Sequence, residues 1–464
     1  MIGLFRATVT KADGSTEQIE VYAPLEKDLP ILDIEKRGRG WKQGNPDYLD
    51  AICCLDTETS KKTHFENGIE IADAVWIYQW CMSINDTVYA GRTAQDLIGF
   101  LRFIYNMYEL GSKRKLAIYV HNMAYDISYL LNGLYPVFEE DVKIFATGQR
   151  RPLKVTLGKG LEIRCSWKLT NKGLDAWGRD LNTEHQKAEG EVDYNILRTP
   201  GMELTDADWD YMINDVLTMR DCLREVMKHE KYRTIPMTST GFVRRPMRYA
   251  ARNAPGWNYH FKSTLPTAKQ YILMKKSFWG GYTHANSFAI SICHDGEGWD
   301  AASMYPAMEA LRTFPDGRWT WRPEKDIDSI DRLCNDPTIA TCLTIVFDHI
   351  FLRDMFTWNP YIPFSKCDPA DEASAILDNG KLISCDRIQL SMTDVDYRII
   401  MEQYDFEWCA VLECMTSRKK PLPKWYLDTM RDWYCKKTML KGAKTEDERR
   451  RYMESKQYLN ACYG

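Results

Sequence analysis

Four carboxylates occur at positions that suit the binding of metal ions: Asp56, Glu58, Asp126 and Asp215. Asp56 and Glu58 end an apolar run that predicts a strand, and residues two apart on a strand project from the same face. Two carboxylates on one face repel each other unless a cation lies between them. Four such groups can hold two Mg²⁺ ions, one to activate water and one to stabilise the leaving oxygen of a phosphodiester. The chemistry that these residues suggest is metal-assisted phosphoryl transfer.

The predicted elements place these carboxylates at one edge of a sheet. One apolar strand leads into Asp56, and a second, Leu116–Val120, leads into a polar segment that ends at Asp126. A later helix carries Tyr211 and Asp215 one turn apart on the same face, and Tyr211 can orient an attacking water. The carboxyl ends of strands are where α/β folds place ligands. Each carboxylate alone is more often an ordinary surface residue, so the prediction depends on their order and setting together.

A second candidate site follows the apolar run Phe288–Cys293, which predicts another strand. The Asp300 carboxylate is a hard oxygen ligand of the kind that Mg²⁺ prefers. The ring of Tyr305 can form the floor under a nucleotide, and Pro306 stiffens the backbone that carries it. Taken alone, the segment is better explained by a surface aspartate that caps a helix starting near Tyr305.

The composition is that of a soluble globular protein of about three domains. The 464 residues are 44% apolar and 27% charged, with a formal net charge of −4. No apolar run approaches the roughly 18 residues that span a bilayer, and the N-terminus does not resemble a secretory signal. The fourteen cysteines form no Cys-x-x-Cys pair, which argues against zinc and for a reducing compartment. We expect a cytoplasmic protein with no membrane partner.

The last fifty residues are locally basic although the whole chain is acidic. Residues 417–456 contain thirteen Lys and Arg against six Asp and Glu, with aromatic side chains interleaved. Such a region suits the phosphates of nucleic acid, but a solvated helical hairpin has the same composition.

Three segments resemble the exonuclease motifs of family B DNA polymerases: Asp56–Thr59, His121–Asp126 and Tyr211–Asp215. In that family they form a 3′–5′ proofreading module with a ribonuclease H-like fold. The resemblance implies that the four carboxylates are the metal ligands and that Tyr211 is catalytic. It further implies that the unpaired 3′ end of DNA is held by Thr59, Asn122 and Tyr125. Lys172 aligns loosely with a catalytic lysine of the same module.

The segment from Asp300 to Pro306 resembles motif A of the polymerase palm, with methionine where leucine is usual. The resemblance implies that Asp300 and the carbonyl of Ala301 bind two catalytic metal ions. It implies that Tyr305 stacks under the incoming sugar and excludes a ribose 2′-hydroxyl.

The segment Lys456–Gly464 resembles motif B, with Ala461 where serine is usual. The resemblance implies that Lys456 neutralises the triphosphate of a dNTP, with Lys437 as a second phosphate ligand. Asn460 and Tyr463 would shape the pocket of the nascent base pair.

Between the two modules, Phe278, Gly280 and Gly281 resemble a Tyr-x-Gly-Gly signature that contacts template DNA, with phenylalanine in place of tyrosine. The glycines allow a backbone to approach a phosphate closely, but an ordinary glycine turn has the same sequence.

The spacing between motifs A and B resembles the protein-primed branch of the family, which inserts a subdomain that meets DNA and a priming terminal protein. The resulting fold prediction is α/β and α+β, with these domains: a β-hairpin extension (1–45), the exonuclease (46–235), the first part of the palm (236–320), the insertion (321–415) and the fingers (416–464).

We therefore expect a protein-primed type of DNA-directed DNA polymerase with a 3′–5′ exonuclease, from a virus or mobile element, in the host cytoplasm if viral. Its partners would be single-stranded 3′ ends, primer-template DNA, dNTPs and a terminal protein, with two Mg²⁺ or Mn²⁺ ions per active site. The family's Asp-Thr-Asp motif is absent, so we expect a chain that ends after motif B and whose measurable chemistry is the exonuclease. The alternatives are a stand-alone exonuclease and a non-catalytic DNA-binding fragment.

Overall fold

The computed structural model describes residues 5–24, 28–38, 41–66, 69–187, 196–287, 291, 295–301 and 303–462. The chain divides into two compact units. Unit 1 comprises Met1–Arg244 and Leu440–Glu454, and unit 2 comprises Arg245–Met439 and Ser455–Gly464. Most of the strand predicted at 288–293, and Tyr463 of the motif B segment, lie outside the described residues.

The strands of unit 1 form one mixed sheet in the order β1-β2-β6-β5-β4-β7-β10-β9-β8, with β3 paired to β7. The strands are β1 Phe5–Thr10, β2 Thr16–Tyr22, β3 Asp47–Tyr48, β4 Cys53–Glu66, β5 Ile69–Ile84, β6 Thr87–Gly91, β7 Arg114–Val120, β8 Val142–Ala146, β9 Pro152–Leu157 and β10 Leu161–Cys165. The helices are α1 Ala94–Met107, α2 Ala124–Phe138, α3 Trp167–Thr170, α4 Leu174–Leu181 and α5 Asp206–Met227.

The N-terminal hairpin predicted from sequence is present and extends this sheet. β1 and β2 pair antiparallel across a turn at Gly14, whose φ of 82° suits glycine. β2 then pairs in parallel with β6, with Val21 opposite Val88. The ring of Phe5 lies 4.6 Å from that of Trp209 on α5. The hairpin therefore continues the sheet and packs on the helix that carries Asp215.

Helices cover both faces of the sheet, which produces a three-layer α/β arrangement. On one face Leu55, Trp80 and Ile118 pack with side chains of α1 and α2. On the other face Cys54 and Tyr119 pack with side chains of α4 and α5. Neighbouring residues of β4 thus point to opposite helical layers, as the two-residue period of a strand requires.

Unit 2 contains a second sheet in which the long strands β13, β16 and β18 are antiparallel. Its order is β11-β18-β13-β16-β14, with β12 on β18, β15 on β16 and β17 on β13. The strands are β11 Thr313–Pro315, β12 Thr320–Trp321, β13 Ile339–Leu352, β14 Cys367–Pro369, β15 Ile376–Asp378, β16 Lys381–Thr393, β17 Tyr404–Asp405 and β18 Trp408–Pro421.

The helices α7 Trp257–Thr264, α8 Ala268–Lys276, α9 Met304–Leu311, α10 Ile327–Asn335, α11 Asp394–Gln403 and α12 Lys424–Met439 belong to unit 2. The helices α6 Ser239–Asn253 and α13 Glu446–Asn460 contain boundaries between the units. Alternate residues of β13, such as Leu343, Ile345 and Phe347, form a core with α10 and α11. β16 is continuous through Cys385, which is buried and pairs with Ile350 of β13.

None of the described helices is both long enough and apolar enough to cross a membrane.

Candidate active site

Asp56 and Glu58 lie on the face of β4 that is directed toward α5. Cys54 packs on the α5 side of the sheet and Leu55 on the opposite side. The two-residue period of a strand therefore places Asp56 and Glu58 on the α5 side. Both side chains are half-buried. The prediction that they share one face agrees with this geometry.

Helix α5 brings Asp215 to the same side of the sheet. The helix begins with a capping box in which the Thr205 hydroxyl accepts from the N–H of Asp208 at 3.2 Å. Tyr211 and Asp215 follow one turn apart, and Asp215 is buried. Asp210, in the first turns of the helix, accepts a hydrogen bond from the N–H of Thr10 in the N-terminal hairpin.

Asp126 reaches the cluster because β4 and β7 are neighbouring parallel strands. Leu55 lies opposite Val120, the last residue of β7. The chain then turns through Asn122, whose φ of 61° is left-handed, and enters α2. Asp126 is buried in the first turn of α2, and the Thr57 hydroxyl donates to its Oδ1 at 2.7 Å.

The carboxylates are near enough to alter each other's ionisation. Burial, followed by the charges of Asp126 and Asp215, holds the pKa of Asp56 well above its usual range. Burial and the charge of Asp215 raise the pKa of Glu58 to about 7. Burial raises the pKa of Asp126 to about 6, although the hydrogen bond from Thr57 acts in the opposite direction. Burial, and for Asp56 and Glu58 also the charges of their neighbours, therefore disfavours the ionised forms of these carboxylates.

Lys187 is a cation that contacts this cluster, and the sequence did not reveal it. Its Nζ donates to Asp215 Oδ2 at 2.8 Å and lies 4.7 Å from the centre of the Tyr211 ring. Burial raises the pKa of Asp215, and Lys187 opposes that rise. Burial alone would lower the pKa of Lys187, but Asp215 outweighs it and raises the pKa. Lys172 instead pairs with Asp180.

The donor set fits a hard divalent cation. Lys187 satisfies one oxygen of Asp215, but the other, Oδ1, is buried and has no hydrogen-bond partner among the described residues. An unpaired buried oxygen is unfavourable unless a ligand satisfies it. Asp56, Glu58 and Asp126 would add further carboxylate oxygens, the type of ligand that Mg²⁺ and Mn²⁺ prefer.

A cleft of about 290 Å³ lies near the cluster and contains hydroxyl, aromatic and basic side chains. Thr59 and Tyr125 line it, and their hydroxyls are hydrogen-bonded to each other. The exposed ring of Tyr125 meets that of Tyr129 edge-on, with centroids 5.1 Å apart. Asn122 is exposed in the turn that leads to Tyr125. Other residues that line the cleft are Ser60, Lys61, Val75, Tyr78, Ile196 and Arg198.

In unit 2 the motif A segment is largely exposed. Asp300 and Ala301 are exposed, and Asp300 makes no hydrogen bond or ion pair within the described part of the chain. Ser303 has a left-handed φ of 54° just before α9, and Lys437 Nζ donates to its Oγ at 2.5 Å. Tyr305 is 47% exposed.

The glycine-rich segment approaches Tyr305. A Cβ atom on Gly281 would lie 3.1 Å from the Tyr305 hydroxyl, so glycine permits this approach. Gly280 has a φ of 84°, and Phe278 is 68% exposed. Lys456 and Asn460 are exposed on α13, and neither is bonded to Asp300.

A separate group in unit 2, Asp348, His349 and Glu407, could also contact a cation. Its ligand atoms lie within 4.8 Å of one another. However, His349 and Glu407 are exposed, and Arg387 Nε already donates to Asp348 at 2.9 Å. The Arg387 partner and the exposure to solvent reduce the electrostatic repulsion in this group. A bound cation would therefore stabilise it less than it would stabilise the more buried cluster in unit 1.

We expect Asp56→Asn to raise the free energy of unfolding by about 1 kcal/mol in buffer with EDTA, because it removes repulsion among the carboxylates. Mn²⁺ should raise the melting temperature of the unmodified chain and have little effect on the variant. Both quantities are measured by urea and thermal unfolding.

Asp33→Asn, at an exposed aspartate of unit 1, is the matched control and should change neither quantity. A destabilised Asp56→Asn protein without metal, or equal Mn²⁺ stabilisation of both proteins, would contradict the metal assignment.

No family model matches the sequence, and no curated protein matches it either. Solved structures do match. Phi29 DNA polymerase complexed with single-stranded DNA has a TM-score of 0.63 at 16% identity, covering 89% of this chain and 67% of that one. The same polymerase with primer-template DNA has a TM-score of 0.61, and with primer-template DNA and incoming nucleotides 0.58, at the same identity and coverage. The chain therefore has a mixed α/β fold similar to that of Phi29 DNA polymerase.

Proposed function

We propose that this chain is a DNA polymerase of the protein-primed family B type and that unit 1 is its 3′–5′ exonuclease. The observation that carries the exonuclease proposal is that the charges of Glu58, Asp126 and Asp215 all act on Asp56, which brings four carboxylates from β4, α2 and α5 into one electrostatic cluster. The polymerase fold of the structural neighbours supports the wider proposal. The substrate of unit 1 is the 3′ end of single-stranded DNA.

The carboxylates of Asp56, Glu58, Asp126 and Asp215 would hold two Mg²⁺ or Mn²⁺ ions. When bound, these ions supply an activated water and stabilise the leaving oxygen. Lys187 and Tyr211 have the two further roles in the proposed reaction. The Tyr211 hydroxyl orients the attacking water, and the Lys187 ammonium stabilises negative charge that develops on the phosphate.

The cleft beside the cluster holds the 3′ end of the DNA. The hydroxyls of Thr59 and Tyr125 and the amide of Asn122 hydrogen-bond to sugar and phosphate. The exposed ring of Tyr125 and the half-buried ring of Tyr129 offer surfaces on which unpaired bases stack, and such stacking is tolerant of sequence. This arrangement favours single-stranded over duplex DNA.

Unit 2 carries the polymerase residues of the proposal. Asp300 and the carbonyl of Ala301 bind metal, and Tyr305 lies under the sugar of the incoming nucleotide. The nucleotide is further held by Lys437, Lys456, Asn460 and Tyr463, and template DNA is contacted by Phe278, Gly280 and Gly281. Residues 321–415 are the region that we propose meets a terminal protein.

We expect the combined substitution Asp56→Ala and Glu58→Ala to lower the rate of single-stranded DNA degradation about 1000-fold, because it removes metal ligands. The assay follows a 5′-labelled oligonucleotide with Mg²⁺ or Mn²⁺, and the products should shorten from the 3′ end.

The matched control, Asp368→Ala with Glu372→Ala, removes two exposed carboxylates from unit 2 and should leave the rate unchanged. An unmodified chain that binds single-stranded DNA yet never degrades it with either metal would contradict the proposal and favour a non-catalytic DNA-binding protein.

We expect substitutions of Lys187 and Lys172 to differ in their effect on the rate of DNA degradation. Lys187→Ala should lower the degradation rate about 100-fold, because Lys187 contacts Asp215 and Tyr211. Lys172→Ala should change it about twofold or less, since Lys172 is paired with Asp180 near the surface. Single-turnover rates at saturating DNA give the comparison, and a larger loss in Lys172→Ala would reverse the assignment.

A further inference from the structure

The segment Thr183–Lys187, which we call the lysine segment, brings Lys187 to the carboxylate cluster although it is neither helix nor strand. A lysine side chain on irregular backbone has many accessible conformations, and fixing one of them costs conformational entropy. The contact of Lys187 Nζ with Asp215 Oδ2 at 2.8 Å therefore depends on the groups that fix the backbone of this segment.

One set of contacts attaches the lysine segment to helix α5 through His185, which is 2% exposed. Its Nδ1 lies 2.7 Å from Asp221 Oδ2, and its backbone N–H donates to the same oxygen at 3.3 Å. Burial alone would raise the pKa of Asp221, but the hydrogen bond from His185 and the charge of Arg220 outweigh burial and lower the pKa. An ionised carboxylate only accepts hydrogen bonds, so the imidazole donates from Nδ1.

Asp221 lies on the same helix as the two groups that Lys187 meets. Asp215 precedes it on α5 by six residues, and Tyr211 precedes it by ten. The helix is a rigid spacer between these positions. Attachment of His185 to Asp221 therefore fixes the lysine segment relative to Asp215 and Tyr211.

A second set of contacts joins the lysine segment to the N-terminal hairpin formed by β1 and β2. The N–H of Ala12 donates to the carbonyl of Glu184 at 3.0 Å. Lys11 Nζ lies 2.6 Å from Glu184 Oε1 and 3.0 Å from Glu17 Oε2. Glu17 Oε2 also lies 3.5 Å from His185 Nε2. The hairpin thus contacts both His185 and the residue before it.

The start of the lysine segment is fixed by Thr183. Its N–H donates to the carbonyl of Gly178 in α4 at 3.2 Å, and its buried Oγ1 donates to the carbonyl of His185 at 2.7 Å. Residues 183–185 are therefore bonded in turn to α4, the hairpin and α5, and Lys187 follows two residues later. Two residues span at most about 7 Å, so a displacement of His185 also displaces Lys187.

We propose that His185, together with Lys11 of the N-terminal hairpin, positions Lys187 against Asp215 and Tyr211. The inference rests on the proposed exonuclease and gives the hairpin a role in it. His185 and Lys11 are positioning residues, because other described residues line the cleft proposed for DNA. Their effect on the reaction passes through Lys187.

The first test is His185→Leu in the full chain, which removes the imidazole nitrogens and keeps a side chain of similar size. The single-turnover rate of DNA degradation should fall about tenfold, because Lys187 is still present but misplaced. The DNA concentration that gives half of the maximal rate should stay unchanged, since the cleft is intact. His185→Asn should restore the rate to within about twofold, because its amide can donate to Asp221 as Nδ1 does.

The control for stability is Val155→Ala, which removes buried methyl groups from β9 in the core on the face of the sheet opposite α5. It should lower the melting temperature but leave the rate unchanged. A rate that falls equally in Val155→Ala and His185→Leu, or a His185→Asn protein as slow as His185→Leu, would show that His185 serves the stability of the fold only.

The hairpin provides a second pair of variants, which remains informative if His185→Leu does not fold. Lys11→Met removes the contact with Glu184 and should lower the rate about threefold. Arg6→Met removes an exposed hairpin ion pair with Glu20, outside the lysine segment, and should have no effect. Equal rates in the two variants would exclude the hairpin from the positioning of Lys187.

A readout without catalysis is the acetylation of Lys187 by acetic anhydride in EDTA, followed by mass spectrometry. Lys187 should react about threefold faster in His185→Leu and in Lys11→Met, because the segment opens locally more often. It should react at the unmodified rate in Val155→Ala and Arg6→Met. Unchanged acetylation in both His185→Leu and Lys11→Met would overturn the proposal.

The acetylation assay separates this inference from the proposed function. A chain that never degrades DNA would contradict the exonuclease, whereas faster acetylation in the two variants would still establish that His185 and Lys11 hold Lys187. Unchanged acetylation in a chain that does degrade DNA would contradict the positioning role and leave the exonuclease standing.

Discussion

The repulsion among Asp56, Glu58, Asp126 and Asp215 is the constraint on which unit 1 depends. Two of these carboxylates are buried and two are half-buried. Burial, followed by the charges of neighbouring carboxylates, raises the pKa of Asp56 and of Glu58. Among the described residues, Lys187 at Asp215 and Thr57 at Asp126 offset part of this unfavourable energy. Such an arrangement reduces stability and is expected where the site serves a bound cation.

The architecture holds these charges together in spite of their repulsion. The parallel pairing of β4 and β7 fixes Thr57 beside Asp126. Helix α5 is anchored by its capping box, by the core on its buried face and by the N-terminal hairpin, where Phe5 meets Trp209. The elements that make up the sheet therefore also determine the geometry of the candidate site.

Local patterns in the sequence were sufficient to predict much of this arrangement. The spacing of two predicted the common face of Asp56 and Glu58, and the spacing of four paired Tyr211 with Asp215. Lys187 was missed because it lies outside any helix or strand, in a polar stretch without periodicity. Its contact with Asp215 is made by tertiary folding across 28 positions of the chain. The hairpin at Gly14 was predicted, but its pairing with β6 is a long-range contact that no local pattern encodes.

In unit 2 as well, local sequence patterns identified some of the residues that lie together, but they could not identify those that meet only through the fold. Motif resemblance pointed to Tyr305 and Gly281, and the structure places them in close approach. A basic groove of unit 2 is different, since it is lined by residues of three separate segments, 317–322, 338–339 and 416–420, which meet only in the fold. The sequence showed an excess of basic residues after residue 417, but it could not show that Arg318 and Arg418 line the same groove.

We expect the carboxylates of unit 1 to form a metal centre. Crystals of the chain can be grown with Mn²⁺ and measured at the manganese absorption edge. Anomalous density should then lie among the carboxylates of Asp56, Glu58, Asp126 and Asp215. Manganese found only at Asp348, His349 and Glu407, with none at the unit 1 cluster, would contradict it.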